Sequence, residues 1–404
     1  MKTLLIVSAG VEAVAGVELA KSMGLHVVVS DINPDAPGFA VADDQLLAST
    51  YDADATVAAA RAYHEQIRPL DGVMCVASDV PLTVASVAAS LGLPGISIES
   101  ARLATDKFAM KERFAANGVP IPWFCLVESA GQLHELVATQ GLPMVIKPVD
   151  SRGSRGVLRL TPEVDLHWAY EVARGHSPTG RVMLERFLPG PQVSTESLVI
   201  EGNAYTPGFT DRNYEYLERY APHIIENGGQ LPSHLNVTTQ QAVCDLVQKA
   251  ALSMGIRNGV VKGDIVLADG QPCVIELAAR LSGGYFCTHE IPLNTGVDLV
   301  GAAIRQALGE SIDPRELFPK WNRPVAQRYL FPSLGVVRAV EGADHFADHP
   351  DVAYLEIRMK AGDRIGPVDS HPARAGVVIT TGESVEAAVL LAEDVVGSIQ
   401  FSVE

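Results

Sequence analysis

Cysteine is scarce and scattered: Cys75, Cys125, Cys244, Cys273 and Cys287 are the only five in 404 residues, with no C-x-x-C pair. An odd number of isolated thiols with mostly apolar neighbours excludes a disulfide framework and a thiolate zinc site, and fits reduced core residues in a cytoplasmic protein. Positive charge is short as well. Against 48 Asp+Glu stand 31 Lys+Arg, a net charge of −17, so neither nucleic acid nor membrane is expected as a partner, because each demands a basic footprint. No uncharged apolar run reaches the roughly 18 residues of a membrane span. The opening Met1–Ala9 is apolar but brief, and it runs straight into a strand–turn–helix pattern, which argues against an export signal. Several catalytic signatures are missing too. There is no G-x-x-x-x-G-K and no G-x-G-x-x-G, and His64-Glu65, His134-Glu135 and His289-Glu290 each lack the second His of a zinc helix.

What remains is a folded composition, 47% hydrophobic and 20% charged with dispersed Gly and Pro, and a length that implies two or three cores. The first hundred residues alternate β-branched runs (Thr3–Ser8, His26–Ser30, Gly72–Val76) with helical stretches (Val11–Met23, Ala55–Ile67, Pro81–Leu91), the rhythm of parallel strands with crossover helices. A helix is expected from Ala104 to Ala116, and Val119-Pro120-Ile121-Pro122 marks a boundary. From Trp123 to Leu188 the order of strands and helices describes a compact α+β unit. Beyond it come long strands, a helix over Thr239–Met254 capped by Thr238 or Thr239, and the strands Val260–Leu267 and Pro272–Leu277, joined as a hairpin by Ala268-Asp269-Gly270. A helix over Gly296–Leu308 follows. The segment from Arg323 opens with a strand at Ala326–Phe331 and closes with a hairpin-like Ala375–Thr381 and a helix at Val385–Val396.

Three clusters carry chemistry. Lys147 ends a buried apolar strand and is followed by the small-residue loop Asp150–Val157, where Gly lets backbone N–H groups approach an anion and Lys and Arg neutralise it. An ordinary hairpin with solvated basic residues is the competing reading. Asp264 and Glu276 fall on neighbouring strands, and two carboxylates forced together call for a cation between them, for which hard oxygen ligands suit Mg²⁺. Otherwise one or both face solvent. Arg280 then leads into Ser282-Gly283-Gly284-Tyr285, an Arg fork beside a metal pair, as phosphoryl transfer asks. Asp31 stands where a dinucleotide fold keeps its ribose carboxylate, but without the glycine fingerprint it reads better as the cap of a strand end.

In this order the motifs resemble the ATP-grasp superfamily, nearest to the carboxylate–amine ligases and the synthetase halves of carbamoyl phosphate synthase. The resemblance covers essentially the whole chain. It implies a fold of mixed α/β and α+β class: a Rossmann-like amino-terminal domain over 1–95, an ATP-grasp module of two α+β halves over 96–308 with its hinge near 185–190, and a small α+β carboxy-terminal lid domain over 309–404. By the same resemblance Lys107, in Asp106–Lys111, and Lys147 hold the nucleotide phosphates, and Ser151, Gly153, Ser154, Arg155 and Gly156 form the loop that covers them. Glu185, Arg186, Phe187 and Leu188 form the hinge that reads adenine, and Gln192 and Glu196 lie near ribose and metal. Asp264 and Glu276 become the metal carboxylates and Arg280 the group that steadies a phosphorylated intermediate. Two positions depart from the family: Ala278 replaces the usual Asn ligand, and Gln192 a common Glu.

The implied activity is ADP-forming ligation of a small carboxylate, an amino acid among the candidates, to an amine through an acyl phosphate. ATP and Mg²⁺, with Mn²⁺ as an alternative, are the implied cofactors, small-molecule carboxylate and amine the partners, and a homodimer an assembly common in proteins of this kind. A carboxylase working through carboxyphosphate and a non-catalytic ATP-binding protein are the alternatives. For substrate contacts the sequence offers Arg280, Ser282, Gly283, Gly284 and Tyr285, the aromatic loop Tyr214–Gln230 with Arg219, Tyr220, His223 and Glu226, and the closing segment with Arg358, Lys360 and Arg364.

Overall fold

A computed structural model describes residues 1–404. Its first strand, Thr3–Val7, is buried at every position, as a strand covered on both faces must be. It pairs in parallel with His26–Asp31 and with Gly72–Met74, and Asp44–Leu47 completes this four-stranded sheet beyond His26–Asp31. Helices Val14–Ser22 and Ala53–Gln66 connect the strands and Pro81–Leu91 follows the last of them, giving the Rossmann-like unit that the alternation in the sequence implied. Asp31 accepts hydrogen bonds from the N–H groups of Ala9 (3.2 Å) and Asn33 (3.0 Å), so its carboxylate closes the strand end.

The single helix expected from Ala104 to Ala116 is two, Ile98–Thr105 and Lys107–Ala116. Asp106 stands between them in extended backbone, and its carboxylate accepts from the N–H groups of Phe108 and Ala109 at 3.0 Å each. That N-cap fixes Lys107 at the first position of its helix. The helix after the hinge region, Val237–Ser253, is likewise capped by Asn236 and not by Thr238 or Thr239. Asn caps at least as well as Thr, so residue preference alone does not place that boundary.

Two antiparallel sheets carry the centre of the molecule. The smaller has the order Phe124–Val127, Val182–Arg186, Met144–Pro148, Leu158–Leu160, with helices Ala130–Gln140 and Leu166–Gly175 sharing its core through Leu133, Ile146, Ala173 and Leu184. The larger has eight strands: Gln271–Ala278, Gly259–Ala268, Gln192–Ile200, Asn203–Arg212, Gly229–Leu231, Val325–Leu330, Gly376–Thr381 and Val352–Ile357. Its first pair is the expected hairpin, turned by Asp269 and Gly270 at φ 49° and 75°, a conformation that Asp-Gly accepts readily. The last three strands come from the carboxy-terminal segment. Pairing of Gln230 with Ala326 and of Leu231 with Val325 carries the sheet across the boundary drawn at 308. Gly376–Thr381 is therefore a central strand, flanked by Val325–Leu330 and Val352–Ile357, and not half of a local hairpin. No helix is long and apolar enough to cross a membrane.

Candidate active site

Asp264 and Glu276 stand directly opposite each other across the hairpin, and Ser194 stands opposite Asp264 on the other side. Lys262, two residues before Asp264, shares its face of the strand. Asp264 Oδ1 accepts from Ser194 Oγ (2.7 Å), from Lys262 Nζ, and pairs with Arg212 Nη1 at 2.8 Å. Glu276 Oε2 lies 3.5 Å from Lys107 Nζ. Burial opposes ionisation of Asp264, but Arg212 and Lys262 outweigh it and hold the carboxyl well below the usual range. Glu276 is lowered too, with Lys107 offsetting its burial and the repulsion of Asp264. Side-chain cations therefore perform part of the neutralisation that the sequence assigned to a metal. One oxygen of each carboxylate, Asp264 Oδ2 and Glu276 Oε1, has no protein partner. No third His, Cys, Asp or Glu joins them, and Ala278 on the same strand offers no ligand atom. The donor set fits a hard divalent ion that takes its remaining oxygens from phosphate and water.

The pair sits where two cavities meet. The first, about 400 Å³, lies between the smaller sheet and the larger one. Lys107, Lys147, Ser151, Gly153, Ser154, Glu185, Arg186, Phe187, Leu188 and Gln192 all line it, so ten of the residues picked from the sequence for ATP are brought together. Lys147 Nζ donates to Glu185 Oε1 at 2.5 Å, and Lys111 Nζ, 1% exposed, lies 2.9 Å from Glu185 Oε2. Glu185 is itself buried, and the two ammonium groups hold it ionised against that burial. Its side chain is thus occupied with lysines. Arg186 turns its guanidinium to the carbonyls of Gln140 (2.6 Å) and Gly141 (3.2 Å). In the loop, Gly153, Ser154 and Gly156 all have φ between 62° and 71°, a succession that aims backbone N–H groups to one side. Ser154 Oγ donates to the Ile224 carbonyl (2.8 Å), His371 N to the Gly153 carbonyl (3.0 Å), and Arg152 stacks on Tyr51 at 4.2 Å. The loop is pinned from three sides.

The second cavity, about 470 Å³, is far more polar and shares Gly153, Ser154, Arg212, Asp264, Glu276 and His371 with the first. Arg280, Ser282, Gly283 and Gly284 line it, as does Arg155, which faces this cavity and not the first. Arg280 is held only loosely by Asp79, whose Oδ1 lies 3.8 Å from its Nε, and that Nε makes no hydrogen bond. Several expected residues, Arg219 and Tyr220 among them, lie elsewhere. Gly156 lines neither cavity; a Cβ there would meet His176 at 2.8 Å. Glu196, expected beside ribose, is fully buried and accepts from the Ser282 N–H (2.7 Å) and hydroxyl, so it anchors the Ser282–Gly284 turn from behind. Burial, partly relieved by those bonds, pushes it up to about 7. Tyr285 also stands behind the wall, donating to Glu356 at 2.8 Å. His223 packs edge-on against Trp168 and bridges to Leu158, away from both cavities. From the closing segment Arg358 does reach the polar cavity, paired with Glu12 at 3.0 Å, but Lys360 and Arg364 do not.

Sequence reasoning missed Lys111, Arg212, Lys262, Glu12, Glu290, His371 and Arg374. Lys262 had a signal, the same-face spacing of Lys262 and Asp264; Arg212 and the rest are brought in only by sheet order and by the packing of distant segments.

Three family models match in order: an ATP-grasp N-terminal domain over 17–95, an ATP-grasp domain over 104–284, and the L-amino acid ligase C-terminal domain 2 over 328–404. The crystal structure of an L-amino acid ligase from Bacillus licheniformis superimposes with a TM-score of 0.83 at 21% identity, covering 100% of this chain and 99% of that one. An uncharacterized protein of Sinorhizobium fredii is 26% identical over 96% of this chain and 80% of its own length. A D-alanine–D-alanine ligase of Gloeobacter violaceus is 30% identical over 46% of this chain, and the match spans 63% of that enzyme. The chain belongs to the ATP-grasp superfamily. Its central part, residues 104–284, is an ATP-grasp domain.

Proposed function

We propose that the protein is an ADP-forming ligase that activates a small carboxylate, foremost that of an amino acid, and joins it to an amine. The observation that carries this reading is the place of Asp264 and Glu276 at the junction of a lysine-bearing, apolar-walled cavity and a polar one with Arg280 at its side. Such a junction suits transfer of a phosphoryl group from a nucleotide in the first cavity to an acceptor in the second. A carboxylate oxygen attacks the γ-phosphorus, the bond to the ADP oxygen breaks, and an acyl phosphate results. An amine nitrogen then attacks the carbonyl carbon, phosphate leaves, and the amine gives up a proton. Lys107 and Lys147 hold the nucleotide phosphates and Arg280 steadies the acyl phosphate; little covalent chemistry is asked of the protein. Mg²⁺, when bound by Asp264 and Glu276, supplies further neutralisation of phosphate charge. The Ser151–Val157 loop excludes water from the intermediate. In this reading residues 1–95 and 309–404 wall the acceptor side, through Glu12 and Arg358, around the 96–308 module.

The test incubates the protein with ATP, Mg²⁺ and pools of amino acids, organic acids, amines and bicarbonate, and separates the nucleotides. ADP and phosphate appearing with a carboxylate pool, together with an amide product, are expected. AMP and pyrophosphate would overturn the mechanism, and strict bicarbonate dependence would move the protein to carboxyphosphate chemistry.

A further inference from the structure

The polar cavity contains one acid that the mechanism above leaves idle. Glu290 ends the single helical turn Phe286–Glu290 that follows the Gly283-Gly284 wall, is 3% exposed, and lines the cavity. Every other acid of that cavity has a cationic neighbour: Glu12 has Arg358 (3.0 Å), Glu226 has Arg212 (3.0 Å), Asp264 has Arg212 (2.8 Å), Glu276 has Lys107 (3.5 Å) and Asp79 has Arg280 (3.8 Å). Glu290 has neither an ion-pair partner within 4 Å nor a side-chain hydrogen bond.

A buried carboxylate without a partner is unstable as an anion, and folded proteins keep one only when a proton or a ligand completes it. Here burial, reinforced by the Glu226 and Glu196 carboxylates, pushes the Glu290 carboxyl up to about 8. The charges acting on Glu290 are thus both acidic, and a neutral ligand gains only one hydrogen bond there. An ammonium group gains a desolvated charge pair and restores the anion. On the same cavity wall stands Arg280, whose guanidinium is held by Asp79 only at 3.8 Å. The cavity therefore presents a cation for a carboxylate and an uncommitted anion for an amine.

We infer that Glu290 is the ammonium-recognition residue of this cavity, receiving the charged amino group of a substrate. The inference rests on reading the cavity as the substrate site, but its test does not depend on turnover. The probes are amides of glycine, alanine, leucine, phenylalanine and lysine, which are cationic and carry no carboxylate, against the uncharged isosteres that lack the amino group. Binding is followed by titration calorimetry in the presence of Mg²⁺ and a non-hydrolysable ATP analogue. At least one cationic amide should bind in the millimolar range or tighter, and its isostere should not. Glu290→Gln should weaken that binding about 10- to 100-fold, the worth of one charged hydrogen bond, and leave nucleotide affinity unchanged, which also shows that the variant is folded. Glu290→Asp should retain part of the affinity. Equal binding of amide and isostere, equal binding by wild type and Glu290→Gln, or no cationic amide bound at all would each overturn the inference. Ligase turnover that is indifferent to Glu290→Gln would remove this role and keep the proposed function. Glu290-dependent amide binding without ADP formation would do the reverse.

Discussion

At the residue scale the site is governed by how few charges are left unanswered. Asp264 is anchored by Arg212, Lys262 and Ser194, whereas Glu276 has only Lys107 at 3.5 Å. Glu276 is therefore the acid with more freedom to serve a ligand. Replacing Glu276 or Arg280 by Ala should lower ADP formation by about 10²-fold or more, with an unchanged circular dichroism spectrum; full activity in both would remove them from the chemistry. Glu290 makes a separate prediction about stability. Its carboxyl has an ordinary value of 4.5 and stands at about 8 in the folded protein, so between those values the folded state binds more protons than the unfolded one. Its contribution is thus harmless below 4.5 and grows more destabilising as pH rises through about 8. The advantage of Glu290→Gln over wild type in urea denaturation should widen across that window, and a difference that does not change with pH would contradict it. That Asp264 and Glu276 lie on neighbouring strands was legible in the sequence because an Asp-Gly turn joins them, but that turn's register alone would set Asp264 opposite Ile275, and a bulge between Asp264 and Ile265 brings Glu276 opposite it. Arg212 and Glu290 were not legible, because no local pattern says which distant strand or turn will face a cavity.

At the scale of elements, the smaller sheet places Glu185, Lys147 and the hinge on one wall, and the helix Lys107–Ala116 adds Lys111 and Lys107. Lys111 escaped notice because a lysine four residues into a helix reads as a solvated side chain, whereas it is buried against Glu185. Glu185→Gln would leave two buried ammonium groups facing each other. It should destabilise the protein by about 3–5 kcal/mol, measurable by chemical denaturation, and a loss below one kcal/mol would show that the lysines find other partners. Helix and strand identities were readable from periodicity almost throughout. The misplaced limits lie at caps, Asp106 and Asn236, where several residue types compete for the same role. In the Ser151–Val157 loop, Gly156→Val combines φ of 71° with a clash against His176 and Pro148. It should loosen the loop, raising the KM for ATP and exposing residues 151–157 to limited proteolysis, and an unchanged cleavage pattern would argue against that effect.

On the scale of the whole molecule, segments far apart in sequence meet around the polar cavity: Glu12 from the first unit, Ser282–Gly284 from the central module and Arg358 from the last. The Rossmann-like beginning and the α+β centre were visible in the alternation of strands and helices. That the closing segment extends the eight-stranded sheet was not, since antiparallel pairing across about a hundred residues leaves no periodic trace. Arg358→Ala should raise the KM of the carboxylate substrate about tenfold and leave that of ATP unchanged; a rise in both would mean the pair with Glu12 serves stability alone. The central claim, an acyl phosphate formed at the junction of the two cavities, is tested most directly by isotope transfer. With a substrate whose carboxylate is labelled with oxygen-18, the account predicts one labelled oxygen in the inorganic phosphate released, and none in ADP. Label in AMP, or phosphate free of label while amide accumulates, would contradict it.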